Sequence, residues 1–173
     1  MSIENPTAIT APLLAGPADW LVSRDPLAVL SSSPLGAGLG VAIFDPEVRV
    51  GGLLHALLPD SGTDPARAAE RPGFFLDTGL ATLLGGVLEL GARPERLLIC
   101  AAGGGRILDE SADFKLGGCI CDALHCWLAG HGMKLHAEET GGVENWILRL
   151  NLPLGQIRAR RVSSLEEQIL CAA

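Results

Sequence analysis

The chain has 173 residues, 48% of them hydrophobic and 19% charged, with a formal net charge of -7. That length fits one domain with a sizeable core, and the charge argues against a nucleic-acid ligand, since no field of Lys and Arg is available to neutralise phosphates. No window reaches the roughly 18–20 uninterrupted apolar residues of a membrane span. The most apolar run, Leu116 to Met133, is broken by Asp122, His125 and His131.

The opening segment MSIENPTAITAP has no cationic start followed by a long apolar core, so no secretory leader is expected. Five cysteines are an odd number, and their spacing suggests no disulfide framework. The expectation is a reduced, cytoplasmic protein.

In chain order, residues 1–17 read as a flexible lead-in. Asp19 to Val22 suits a short strand or turn, and Leu27 to Leu30 is a short apolar run leading to Ser31, Ser32 and Ser33. Leu39 to Phe44 and Gly51 to Leu58 are continuous enough in apolar residues to be strands buried on both faces. Residues 60–73 mix Asp, Gly, Pro and charge and read as a surface loop. Leu76, Leu80, Leu83, Leu84, Val87 and Leu88 form one apolar stripe, predicting a helix over 76–90. Gly85 and Gly86 weaken it unless close approach to a sheet compensates. Arg96 to Ala102 reads as a strand feeding Gly103-Gly104-Gly105, and 116–130 as a second helix. Met133 to Glu139, Trp146 to Leu150 and Gln156 to Arg161 are further strands, the last two pairing across Asn151 to Gly155. Leu165 to Cys171 is read as a terminal helix or tail. The order predicts a single α/β domain, mixed α+β, with layered strands and flanking helices over residues 18–162 and a tail over 163–173.

Gly103-Gly104-Gly105 follows a strand, as a phosphate cradle does, but its spacing matches neither a P-loop nor a dinucleotide fingerprint. A tight turn with unusual backbone angles is the plainer reading. Cys119, Cys121, His125 and Cys126 resemble a metal set, yet one helix places only Cys121 and His125 on a common face, so no metal is expected. His131 and His136 read as surface or strand-flank residues. His55, on an apolar strand close in sequence to three hydroxyls, is the sharper candidate for proton transfer.

Ser31 to Gly38, Phe44-Asp45-Pro46 and Gly51-Gly52-Leu53-Leu54-His55-Ala56-Leu57-Leu58-Pro59 resemble successive motifs of the CheD family, the chemoreceptor glutamine deamidases of bacterial and archaeal chemotaxis. Pro72 to Thr78, Gly103-Gly104-Gly105, Leu116-Gly117 and Gly132 to Gly142 extend the resemblance in the same order over residues 18–162. The resemblance implies a CheD-like fold without a cofactor. It also implies a reaction in which a thiolate attacks a receptor glutamine carboxamide, a histidine moves the proton, and a threonine orients the histidine.

On this resemblance the histidine falls on His55. The threonine falls on Ser32 counted back from Asp45, or on Ser31 counted forward from Pro26. The nucleophilic cysteine falls on Gly38, or on Ala37 by the other count, and the first cysteine of the chain is Cys100. Elsewhere the family's Arg-Asn becomes Cys119-Ile120, and its Gly-Ser before the cysteine becomes Gly36-Ala37. The expectation is a catalytically inactive CheD-like protein that binds chemoreceptor cytoplasmic helices or a CheC-type phosphatase. The alternative is a deamidase using a replacement nucleophile, one of Ser31 to Ser33 or Cys100, with His55.

Overall fold

Strands that are apolar on both faces need cover on both, and this requirement organises the computed structural model, which describes residues 11–106 and 115–173. The strands are β1 (Leu13–Ala15), β2 (Trp20–Ser23), β3 (Val29–Ser32), β4 (Leu39–Asp45) and β5 (Val50–Ala56), followed by β6 (Leu98–Gly103), β7 (Ala137–Thr140), β8 (Trp146–Asn151), β9 (Gln156–Arg161) and β10 (Gln168–Ala172). The helices are α1 (Pro65–Glu70), α2 (Leu76–Glu89) and α3 (Leu116–Gly130). Two five-stranded sheets result, ordered β2-β5-β4-β6-β7 and β1-β3-β8-β9-β10.

Every residue of β4 and β5 is buried. One face of their sheet packs Val41, Leu54 and Ile99 against Leu80 and Leu83 of α2 and Ile120 and Leu124 of α3. The other face packs Ala42, Phe44, Leu53 and Cys100 against Leu148, Leu150, Ile157 and Ala159 of the second sheet. β8 and β9 alternate buried and half-buried residues, as strands with one wet face do. The layers are therefore sheet, sheet, helices. The chain is mixed α+β as expected.

Three local readings change. Leu13–Ala15, placed in the lead-in, forms β1 in parallel register with Leu30–Ser32; the first ten residues lie outside those described. The expected surface loop over 60–73 contains α1, capped by the Asp64 carboxylate accepting from the Arg67 N–H at 3.0 Å. The segment expected as a terminal helix or tail contains strand β10, antiparallel to β9. A β-bulge between Ile169 and Cys171 turns both Leu170 and Cys171 onto the inter-sheet core. Of the α2 glycines, Gly86 approaches Val22 and Trp20 of β2 closely, whereas Gly85 faces open space.

Candidate functional site

β4 and β5 run antiparallel with Gly40 opposite His55 and Asp45 opposite Val50, so the hairpin carries one buried polar side chain near each end. At the turn end, Asp45 is fully buried and accepts from Arg96 Nε and Nη2 at 2.9 and 2.6 Å, from the Arg93 N–H at 2.9 Å and from the Glu47 N–H at 3.0 Å. Burial alone would push this carboxyl up; the Arg96 hydrogen bonds, the two backbone donors and the Arg96 charge outweigh it and hold it below its ordinary value. This is a structural lock at a residue that the sequence marks only as part of the Phe44-Asp45-Pro46 motif.

At the open end, His55 is 3% exposed. Its backbone is fixed by the Ala18 N–H donating to its carbonyl and by its own N–H donating to Asp19, both at 2.9 Å. Its ring Nδ1 lies 3.1 Å from Ser33 Oγ. The Ser33 N–H donates to the Ala15 carbonyl at 2.9 Å, and that carbonyl also hydrogen-bonds the imidazole. Burial lowers the His55 pKa, against the opposing effects of the Ala15 carbonyl and the Asp19 charge, so the ring is neutral at neutral pH. A proton on Nδ1 directed at Ser33 leaves Nε2 with its lone pair, the form that accepts a proton.

A side chain built at Gly38 would place its Cβ 3.4 Å from His55 Nε2 and 2.8 Å from the Ala56 carbonyl. Gly38 therefore lies beside the imidazole, with the Ala56 backbone close against it. The two serines named by the resemblance, Ser32 and Ser31, make their hydrogen bonds away from His55. Ser32 Oγ accepts from the Leu148 N–H at 3.0 Å, within the second sheet, and Ser31 Oγ donates to the Ser32 carbonyl at 3.3 Å. Ser33, the first residue beyond β3, is the hydroxyl at His55.

Cys100 is not part of this arrangement. It lies opposite Ala42 on the far side of β4, two strands across and two residues along from His55. At ordinary strand spacing that is about 12 Å. Its thiol is fully buried and pushed up to about 12 by that burial, reinforced by Cys171, so it carries no thiolate for attack.

Gly103-Gly104-Gly105, weighed above as a phosphate cradle or a tight turn, has left-handed backbone angles at Gly103 and Gly104. The Gly104 and Gly105 N–H groups donate to the Gly38 and Gly36 carbonyls, both at 2.8 Å, so they hold the loop before β4 rather than a phosphate. Gly103 has φ of 107° and a Cβ there would meet the Gly38 carbonyl at 2.5 Å, so glycine is required. Gly104 and Gly105 also border a cleft of about 260 Å³ lined by Lys115, Gly117, Cys121 and Thr140. Cys121 faces Gly104 there, while Cys119 and Cys126 are exposed and His125 Nε2 lies 3.2 Å from Glu138.

Residues 57–161 match the family model for CheD, described as chemotactic sensory transduction. The match begins two residues beyond His55, leaving the hairpin that carries the candidate site outside it. A probable chemoreceptor glutamine deamidase CheD of Solibacter usitatus is 39% identical over 145 residues, 84% of this chain and 86% of its own. A second, from Syntrophus aciditrophicus, is 35% identical over 80% of this chain and 87% of its own. The chemoreceptor glutamine deamidase CheD of Thermotoga maritima is 32% identical over 88% and 93%. The chain belongs to the CheD family. Among the described residues of this CheD-family protein, no helix is long and apolar enough to cross a membrane.

Proposed function

We propose that this CheD-family protein acts in chemotactic signalling by binding, without deamidating what it binds. Its partners on this reading are the cytoplasmic helices of chemoreceptors or a CheC-type phosphatase, and its place is the cytoplasm. One observation carries the reading: the position facing His55 Nε2 is Gly38, which has no side chain. A glutamine carboxamide brought there meets a neutral imidazole and no thiol. No acyl-enzyme bond forms, and direct attack by water is slower by orders of magnitude, as removing a nucleophile from such a unit generally shows.

The test combines two measurements on the purified full chain. Isothermal titration with a chemoreceptor cytoplasmic fragment and with a CheC-type phosphatase from the same genome is expected to show binding to at least one. Ammonia release from the same fragment is expected to stay at the buffer rate. Binding to neither sinks the proposal, as does ammonia release that His55→Ala abolishes.

A second reading has its own observation. Ser33 Oγ, 3.1 Å from Nδ1, is a hydroxyl within reach of a base. It meets the ring on the nitrogen opposite the one that faces Gly38, so a serine reaction would need the carboxamide to enter from the Ala15 side. Ammonia release lost in Ser33→Ala but retained in Ser32→Ala would establish it.

A further inference from the structure

The end of the sandwich beside the Gly36–Gly38 loop carries an unusual surface. Leu165 is 95% exposed, and Val143 and Val162 are 63% and 44% exposed. The strands bring these residues to one place: the Val162 N–H donates to the Asn145 carbonyl at 2.8 Å, and Ser163 Oγ donates to Glu144 at 3.3 Å. Next to them is a groove of about 310 Å³ lined by Trp146, Arg160, Arg161, Ser164, Glu166 and Gln168.

The charge of this region departs from that of the chain. Residues 143–169 hold four arginines and three glutamates, so all the net negative charge lies elsewhere. Glu167 is engaged between Arg149 and Arg158, at 2.5 and 3.4 Å. Arg160 and Arg161 have no carboxylate within ion-pair distance among the described residues: Arg160 donates to the Ser164 carbonyl at 3.0 Å, and the Arg161 guanidinium lies over the Trp146 ring at 5.6 Å. Exposed apolar side chains flanked by guanidinium groups are the composition of a protein-binding patch.

We propose that this surface docks an amphipathic helix of a protein partner, with its apolar stripe on Val143, Val162 and Leu165 and its carboxylates on Arg160 and Arg161. The occupant's charge follows from the two unpaired cations on an otherwise acidic chain. The start of β8 is tied to the loop before Gly38, since Leu35 and Trp146 exchange two backbone hydrogen bonds of 2.7 and 3.0 Å. A helix seated there would lie next to the loop that begins at Gly36, where Asn145 Oδ1 comes within 3.4 Å of a Cβ placed on Gly36. Identifying that helix as a chemoreceptor's rests on the proposed function; the surface itself does not.

The experiment titrates the full chain, Leu165→Asp and Arg160→Gln/Arg161→Gln with a chemoreceptor cytoplasmic fragment at low and high salt, with melting curves for each variant. Leu165→Asp is the safeguard, since so exposed a side chain contributes little to folding. Each variant is expected to bind at least 10-fold more weakly at an unchanged melting temperature, and the arginine variant is expected to lose most of the salt dependence. Equal binding by all three proteins overturns the docking surface and leaves the binding function standing.

If the parent chain does not bind the fragment, the receptor reading fails instead. A synthetic amphipathic helical peptide, with leucines along one stripe and glutamates along its flanks, then tests the surface alone. Peptide binding that Leu165→Asp weakens supports it, and no binding overturns it. Sedimentation showing a parent dimer that Leu165→Asp dissociates also overturns it, since the occupant is then a second copy.

Discussion

The two ends of the β4–β5 hairpin each bury a polar side chain, and they treat it differently. At the turn, Asp45 has every neighbour it needs: a bidentate guanidinium and two backbone N–H groups around a carboxylate with no exposure. At the open end, His55 is almost as buried, but its environment is asymmetric, with Ser33 and the Ala15 carbonyl on one side and a glycine facing Nε2. A polar group buried for stability is satisfied all round, because each unmet bond costs about 1–3 kcal/mol. His55 is held on one side and faces a glycine on the other, which is the asymmetry that the proposed function rests on.

The sharpest way to break this contrast is to supply the missing group. Gly38→Cys places a thiol beside His55 Nε2, once the Ala56 carbonyl shifts to admit the Cβ. Ammonia release from a chemoreceptor fragment is expected to rise about 100-fold or more over the parent. Adding His55→Ala is expected to remove the gain. If Gly38→Cys stays silent while folded and binding, a thiol at this position is not sufficient for the reaction.

At the other end the expected effect is on stability alone. Asp45→Ala leaves Arg96 and two N–H groups without their acceptor, and denaturant unfolding is expected to show a loss of about 3 kcal/mol. Receptor binding at a temperature where the variant is folded is expected to be unchanged.

The two neighbouring serines divide along the same line. Ser32→Ala removes the acceptor of the buried Leu148 N–H and is expected to cost about 2 kcal/mol. Ser33→Ala is expected to cost less, and in the Gly38→Cys background to reduce ammonia release where Ser32→Ala does not. The reverse pattern would return the orienting role to Ser32.

The smallest expected effect is a drift with pH. Because the folded-state pKa of His55 lies below the ordinary 6.5, the unfolded chain takes up this proton first as the pH falls. The stability present above about pH 6.5 therefore declines as pH falls through the lowered value, and His55→Gln is expected to flatten that part of the profile. Asp45 acts in a lower window: its contribution is complete above 3.8 and is lost as pH falls through its own lowered value. Denaturant midpoints measured from pH 8 to pH 3 would separate the two.

Local pattern carried much of this molecule. The apolar stripe of α2, the α3 bounds, the doubly buried β4 and β5 and the β8–β9 pair were all legible, because each burial face writes its own period into the chain. The ordered motifs pointed to the CheD family, and the chain showed outright that no cysteine precedes Cys100. β1 left no such mark, since three residues in a parallel pair depend on a partner fifteen or more positions away. β10 was misread because its bulge breaks the two-residue alternation by which a strand is recognised.

Only the tertiary structure decided the site. Counting along the chain pointed by resemblance to Ser32 or Ser31, whereas the hydroxyl beside the imidazole is that of Ser33. The strand ends at Ser32, whose side chain is taken by Leu148, and the Ala15 carbonyl draws Ser33 towards the imidazole. The thiol of Cys100 was available by composition but lies beyond β4, under full burial. Which atoms meet across strands is set by register and packing. The sequence names the groups, and the fold determines which of them meet.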